Sequence, residues 1–445
     1  MTLIPVRKDG FNAWLKKRSK SESAWIATSG FKGDAGAVQL VPGRGKNAAS
    51  VLVGVTGDDD IWSWSAAAKR LAPGRYALDD GVKDRAAGYA ALGWAVGSYR
   101  FERYKKAAKK APKLVLTKAM RGAGADRTAS AIYLVRDLIN TPASDMGPGE
   151  LANAAQSLAR EFKGRCKITV GDDLLRENYP MIHAVGRASS RAPRLIDLTW
   201  GKSRDPRVTL VGKGVCFDTG GLDLKPASSM LMMKKDMGGG AHALGLARMI
   251  MAAGLPVRLR VLVPAVENSV SGDAFRPMDI LQTRSGKTVE IGNTDAEGRL
   301  VLGDALTEAL SEKPELLLDF ATLTGAARVA LGPDLPAMFC NDDTLAQDLS
   351  KAGDTENDPV WRMPLWRPYR KLIDSPIADM NNTGSVPQAG SITAALFLHE
   401  FVGNAVPWAH FDIYGWNLGT DVGRTKGAEA MAIRAAFAVI ADRFG

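Results

Sequence analysis

At 445 residues the chain is long enough to bury cores in two or three domains. Its 46% hydrophobic and 24% charged content excludes disordered, collagen-like and disulfide-dense classes, and no apolar run is long enough to cross a bilayer. The net charge of +10 raises an anionic partner such as DNA or RNA, yet no zinc-finger spacing and no RNA-binding signature supports one.

The N-terminus, "MTLIPVRKDGFNAWLKK", lacks the apolar core and small-residue cleavage site of a secretory signal. Three widely spaced cysteines, Cys166, Cys216 and Cys340, make no disulfide framework, so a cytoplasmic protein is expected. Over the first hundred residues, short apolar runs ("SAWIATSG", "SVLVGVTG") alternate with helix-like stretches ("IWSWSAAAKRLA", "RAAGYAALGWAVGSY"). That pattern predicts a small α/β domain. The composition turns basic and small in "KAAKKAPKLVLTKAMRGAGADR", and we place a boundary there, with domains at 1–118 and 119–445. The dense basic stretch Arg103–Arg121 reads as a solvated face leading into a linker. A helix through "TASAIYLVRDLIN" is expected to stop where proline and glycine cluster in "TPASDMGPGE".

Beyond residue 165, strand-like and helix-like runs alternate. "KITVG", "RLIDLTW", "RVTLVGKG", "VRLRVLVPAV", "ELLLDFATL" and "WAHFDIYG" read as strands. "GAHALGLARMIMAAG", "LVLGDALTEALSEK" and "SITAALFLHEFVG" read as helices. The alternation predicts a second, larger α/β domain with a central, mostly parallel sheet flanked by helices, and such sheets bind ligands at the carboxyl ends of their strands.

Three segments at those ends carry the candidate chemistry. "VGKGVCFDTGGLDLKP" brings Lys213, Asp218 and Lys225 among glycines, which let backbone turn tightly beside a ligand. "MMKKDMGGGAHALG" brings Asp236 ahead of a glycine run; no strand precedes it and the third glycine of a dinucleotide fingerprint is missing. "NTDAEGRL" brings Asp295, Glu297 and Arg299 just ahead of a helix. Thr294 with Glu297 three residues on predicts a capping box. Capping explains neither a first-turn arginine, which the helix dipole disfavours, nor Gly298, which weakens the helix as it begins.

Asp218, Asp236, Asp295 and Glu297 would repel one another strongly unless cations neutralise them. Two divalent metals about 3.5–4 Å apart are the usual solution, and they hydrolyse peptide or phosphate bonds. His183, His242, His399 and His410 are scattered and read as structural. "HEFVG" ends in Gly403, which excludes a zincin helix, and no G-x-S-x-G elbow is present.

With "ENSVSGDAFRPMDI", "DFATLTGA", "ITAALFLHEFV" and "LVRDLINTPASDMGP" added, these segments resemble the leucyl aminopeptidase (cytosolic aminopeptidase) family over residues from about 130 to 445. "SYRFERYK" resembles part of that family's N-terminal domain. The resemblance implies a macro-like N-terminal domain, a linking helix, and a catalytic α/β domain with a mixed sheet. It implies a homohexamer with two divalent metals per subunit, most often zinc or manganese, acting on peptides with a free N-terminus. On this resemblance Lys213, Asp218 and Asp236 bind one metal, Asp295 the other, and Asp218 and Glu297 touch both. Lys225 faces the substrate carbonyl and Arg299 holds a bicarbonate. Met233, Thr322, Leu323 and Gly325 fall where the family receives the first side chain and amine. Two departures concern specificity: Asp412 is followed by "IYGWN" rather than a small-residue continuation, and "NNTGSVPQAGSI" lacks the family's arginine and double glycine. Tyr414 and Trp416 are expected to narrow the pocket, and Cys216 to pack. A metal-dependent aminopeptidase is the leading expectation; a nucleic-acid binder on the same scaffold and a metal-dependent phosphoesterase are the alternatives.

Overall fold

The computed structural model describes residues 1–43, 49–108, 110–122, 124–419 and 421–445, without the side chains at 84 and 119. It has two compact units, Met1–Tyr133 with Asn417–Gly427, and Leu134–Trp416 with Ala428–Gly445. Among the described residues no helix is long and apolar enough to cross a membrane.

The first unit is α/β, as its composition predicts. Its five-stranded sheet runs Val38–Val41, Ser50–Val55, Thr2–Arg7, Arg75–Leu78, Lys113–Leu114. Only Val38–Val41 is antiparallel to its neighbour. "IWSWSAAAKRLA" and "RAAGYAALGWAVGSY" form the helices Trp62–Arg70 and Asp84–Ser98. "SAWIATSG" is not a strand. It belongs to the helix Lys20–Ser29, started by a capping box in which the Ser19 hydroxyl and the Glu22 carboxylate each bond the other's backbone N–H. Only Ile26 of that helix is buried, so the apolar run outlines one residue of contact rather than a sheet face.

The second unit is built on a nine-stranded mixed sheet. Its middle is parallel: Trp408–Asp412, Leu316–Ala321, Arg207–Gly212 and Arg258–Asn268 pair in that order. Gly214–Asp218 continues from Arg207–Gly212 and also pairs parallel with Arg258–Asn268. Antiparallel strands Arg194–Trp200 and Arg165–Val170 extend one side, and Ala337–Cys340 the other. All six runs predicted as strands in this half are strands, and the three predicted helices form as Gly238–Ala253, Glu297–Ala309 and Gly390–Val402. Successive residues of a strand face opposite ways. Val211 joins the core made with Leu300, Leu306, Phe397 and Phe401, whereas Gly212 faces the start of the helix Gly238–Ala253. Helices therefore cover both faces of the sheet, and burial on both sides explains why its central strands read as continuous apolar runs.

Close approach at that second face depends on glycine. A Cβ on Gly239 would stand 2.0 Å from the Phe320 carbonyl oxygen and 2.7 Å from the Lys213 nitrogen. The "GGG" run thus lets the segment carrying Asp236 settle directly on the strand ends.

Candidate active site

The candidate residues meet at the carboxyl ends of the parallel strands, where the topology predicts a site. Lys213 lies between Arg207–Gly212 and Gly214–Asp218, and Asp218 ends the latter strand. Asp236 sits in the 3-10 turn Met233–Met237 that opens the helix Gly238–Ala253. Glu297 and Arg299 occupy the first turn of Glu297–Ala309, with Asp295 just before it. Thr322 and Leu323 follow the strand Leu316–Ala321, and Gly325 begins the short helix Gly325–Leu331.

Two lysines thread the four carboxylates. Lys213 Nζ lies 2.7 Å from Asp236 Oδ2 and 2.9 Å from Glu297 Oε1. Lys225 Nζ lies 2.9 Å from Asp218 Oδ2 and also contacts Asp295 Oδ1. Asp218, Asp236 and Glu297 are buried, and each presents an oxygen within 4.8 Å of the others. The Asn268 amide and the Gly220 N–H each donate to Asp218 Oδ1 at 2.9 Å, while the Thr322 hydroxyl donates to Asp236 Oδ1 at 2.7 Å. Every carboxylate is thereby aimed before any ligand arrives.

Four acids against two lysines leave an excess of negative charge in a poorly hydrated place, and the protonation energetics show it. Burial, reinforced by Asp218, pushes the Glu297 carboxyl up to about 8 against the pull of Lys213. Burial and then Asp218 raise Asp295 to about 6, with Lys225 opposing. At Asp236 burial also acts upward, but Lys213 and Lys235 outweigh it and hold the acid low. Burial opposes the charge of both site lysines, and the facing carboxylates overcome it and raise them. An oxygen-rich, buried, mutually repelling set of this kind suits Mn2+, Mg2+ or Zn2+.

The predicted capping box does not form. Ala296 is the N-cap residue, and no side chain caps the helix Glu297–Ala309. Thr294 Oγ1 instead donates to the Gly220 carbonyl at 2.6 Å and accepts from the Asp223 N–H at 2.9 Å, while Glu297 turns to Lys213. Both capping partners are recruited by the neighbouring loop and lysine, which outcompete a local bond. Gly298 has its own reason: a Cβ there would stand 2.5 Å from Lys213 Cε, so the helix begins on glycine to let that lysine pass. Arg299 is 8% exposed; its Nη1 donates to the Asn382 carbonyl at 2.7 Å, and among the described residues its Nε has no hydrogen-bond partner. Burial lowers this guanidinium to about 10, against Glu297 and Asp412.

These residues share one cavity of about 550 Å³. Lys213, Asp218, Lys225, Asp236, Asp295 and Arg299 line it together with Met233, Thr322, Leu323 and Gly325. Every residue singled out for catalysis, metal or substrate therefore lies in or against a single site.

Comparison with known proteins agrees. The model of the cytosol aminopeptidase family, catalytic domain, matches residues 133–437, and that of the M17 aminopeptidase N-terminal domain matches 1–117. The chain belongs to the cytosol aminopeptidase family. It is thereby a hydrolase of the metalloexopeptidase class. A probable cytosol aminopeptidase of Roseiflexus castenholzii is 44% identical over 339 residues, 73% of this chain and 69% of that protein. The crystal structure of a cytosol aminopeptidase from Coxiella burnetii superposes with a TM-score of 0.96 at 50% identity, covering 100% of this chain and 97% of that one. The bottromycin maturation enzyme BotP, solved in complex with Mn, superposes at 0.90 with 32% identity, covering 99% of each chain.

Within this aminopeptidase, side chains outside the predicted set support the site. Asn268 and Asn382 aim Asp218 and Arg299, and Asp412 accepts from the Leu323 and Thr324 N–H groups, ordering the loop after the strand Leu316–Ala321. The signal for Asn268 was its place at the end of a strand. Asn382 is 83 residues from Arg299, and no local pattern marks it. Tyr414 lines the cavity as expected, but Trp416 is not among the lining residues; Lys234 Nζ sits over its ring at 5.5 Å. The histidines stay outside the cluster. His242 bonds the Gly238 carbonyl and the Met431 N–H, and His410 pairs with Asp319. Cys216 is fully buried and burial pushes its thiol up, which fits packing rather than reactivity.

Proposed function

We propose that this protein hydrolyses the N-terminal residue from peptides with a free amine, using two divalent metal ions, Mn2+ or Zn2+. The observation that carries the reading is the buried trio Asp218, Asp236 and Glu297, threaded by Lys213 and joined through Lys225 to Asp295. Lys213, Asp218 and Asp236 would hold one ion, Asp295 the other, and Asp218 and Glu297 both. As a ligand Lys213 must be the neutral amine, and divalent charge among the same carboxylates supplies the repulsion that removes its proton. Bound ions supply a water of lowered pKa and a polarised scissile carbonyl. The manganese bound by the relative BotP supports that choice of metal.

The chain's own groups do the rest. Lys225, held protonated by its acidic neighbours, stabilises the oxyanion that develops on the substrate carbonyl. Met233, Thr322, Leu323 and Gly325 receive the first side chain and orient the free amine. Arg299, with an unpaired Nε at a helix N-terminus, suits a small anion, and bicarbonate there would supply an acceptor for the water's proton. We further propose that residues 1–118 and 119–445 are the functional divisions, and that the protein works as a cytoplasmic homohexamer.

The reading is tested with aminoacyl-p-nitroanilides and protein stripped of metal, then loaded with Mn2+ or Zn2+. Turnover that returns with metal is expected, and no turnover of any substrate would sink it. Arg299→Ala tests the anion. Bicarbonate should stimulate the wild type in carbonate-depleted buffer and leave the variant unchanged, at a rate lower by roughly 10²-fold. A variant with wild-type rate and the same bicarbonate response would remove Arg299 from the reaction.

A further inference from the structure

The cavity contains two cations that the proposed reaction does not use. Lys235 Nζ lies 4.8 Å from the centroid of the Tyr414 ring, and the guanidinium carbon of Arg328 lies 5.1 Å from the same centroid. All three residues line the cavity that also holds the carboxylate cluster and Met233. Lys235 is only 5% exposed. Among the described residues neither cation has a hydrogen-bonded or ion-paired carboxylate.

The two acids whose charge acts on Lys235, Asp236 and Asp412, are already committed. Asp236 is held by Lys213 and Thr322. Asp412 takes the Leu323 and Thr324 N–H groups on Oδ1 and the Thr324 hydroxyl on Oδ2. The face of Tyr414 attracts both cations but accepts none of their N–H bonds. A buried ammonium without an acceptor is costly, and two cations drawn onto one ring repel each other unless an anion comes between them.

We propose that Lys235 and Arg328, gathered by Tyr414, form a subsite for the carboxylate of an acidic first residue, so that peptides beginning with glutamate or aspartate are preferred. This rests on the aminopeptidase reading and adds a substrate class to it. An apolar side chain would strip water from Lys235 and return no bond, and a basic one would meet two like charges. Glutamine matches glutamate in shape but offers no charge. The contrast between these two therefore isolates the subsite.

The test uses the full chain loaded with Mn2+ and 7-amido-4-methylcoumarin derivatives of Glu, Asp, Gln, Leu and Lys. The kcat/KM for Glu or Asp should exceed that for Gln by about tenfold or more. Arg328→Gln and Lys235→Met should each shrink the ratio by about tenfold, and Arg328→Glu should shift preference towards Lys. Arg328 is exposed, so its variants carry the test even if Lys235→Met fails to fold. Hydrolysis of Leu with Glu and Asp no better than Gln overturns the subsite and leaves the aminopeptidase standing. So does a Glu-to-Gln ratio that ignores both Arg328 variants. Failure to hydrolyse any of the five overturns the aminopeptidase reading and the subsite with it.

Discussion

Glu297→Ala is expected to lower kcat by roughly 10⁴-fold or more, because the lost carboxylate is the one placed to touch both metal ions that activate the water. Elemental analysis should show bound metal falling together with rate. The fold should survive: Glu297 is a fully buried carboxyl that burial and Asp218 push up to about 8, so its removal takes away a desolvated acid rather than a stabilising contact. Lys213 keeps Asp236 as its partner in the variant. An unchanged or raised Tm beside lost activity would separate the chemical role from a structural one. An active variant with full metal occupancy would contradict the assignment.

Lys225→Ala should behave differently. Lys225 spans Asp218 and Asp295, but the proposed reaction uses it as a charge facing the substrate carbonyl and not as a ligand. The variant is expected to keep its metal and lose roughly 10³ in kcat, the scale of removing one oxyanion donor. A rise in KM with kcat unchanged would make Lys225 a binding residue instead. Side by side, the two variants discriminate: metal lost with rate at Glu297, metal kept and rate lost at Lys225.

Much of the second unit was legible locally. Its six strand runs and three of its helices follow from apolar patterning: the central strands, buried on both faces, are apolar along almost their whole length, while the flanking strands Arg165–Val170 and Arg194–Trp200 mix apolar with polar residues. The carboxylates were legible too, since each sits where a strand or turn ends and the next helix begins, a boundary that sequence marks with glycine and charge. Less visible were elements whose stability is not periodic. "SAWIATSG" is helical through the Ser19–Glu22 box, a two-residue signal that a short apolar run masks.

By itself the sequence determined which chemistry-bearing residues exist and that sheet topology would carry them to one edge. Only the tertiary structure decided their partners. Thr294 and Glu297 had the spacing of a capping box, yet Asp223 and Gly220, more than seventy positions away, and Lys213 took them. Gly298 made sense only once Lys213 crossed it, and Arg299 only once Asn382 lay beneath it. Lys235 lies in the 3-10 turn Met233–Met237, Arg328 in the helix Gly325–Leu331 and Tyr414 just after the strand Trp408–Asp412, and only the fold brings both cations onto one ring. The physical reason is common to all of these. Periodicity along a chain reports how each element is buried, whereas a buried charge selects its partner from everything the fold delivers within a few ångströms, at whatever distance in sequence.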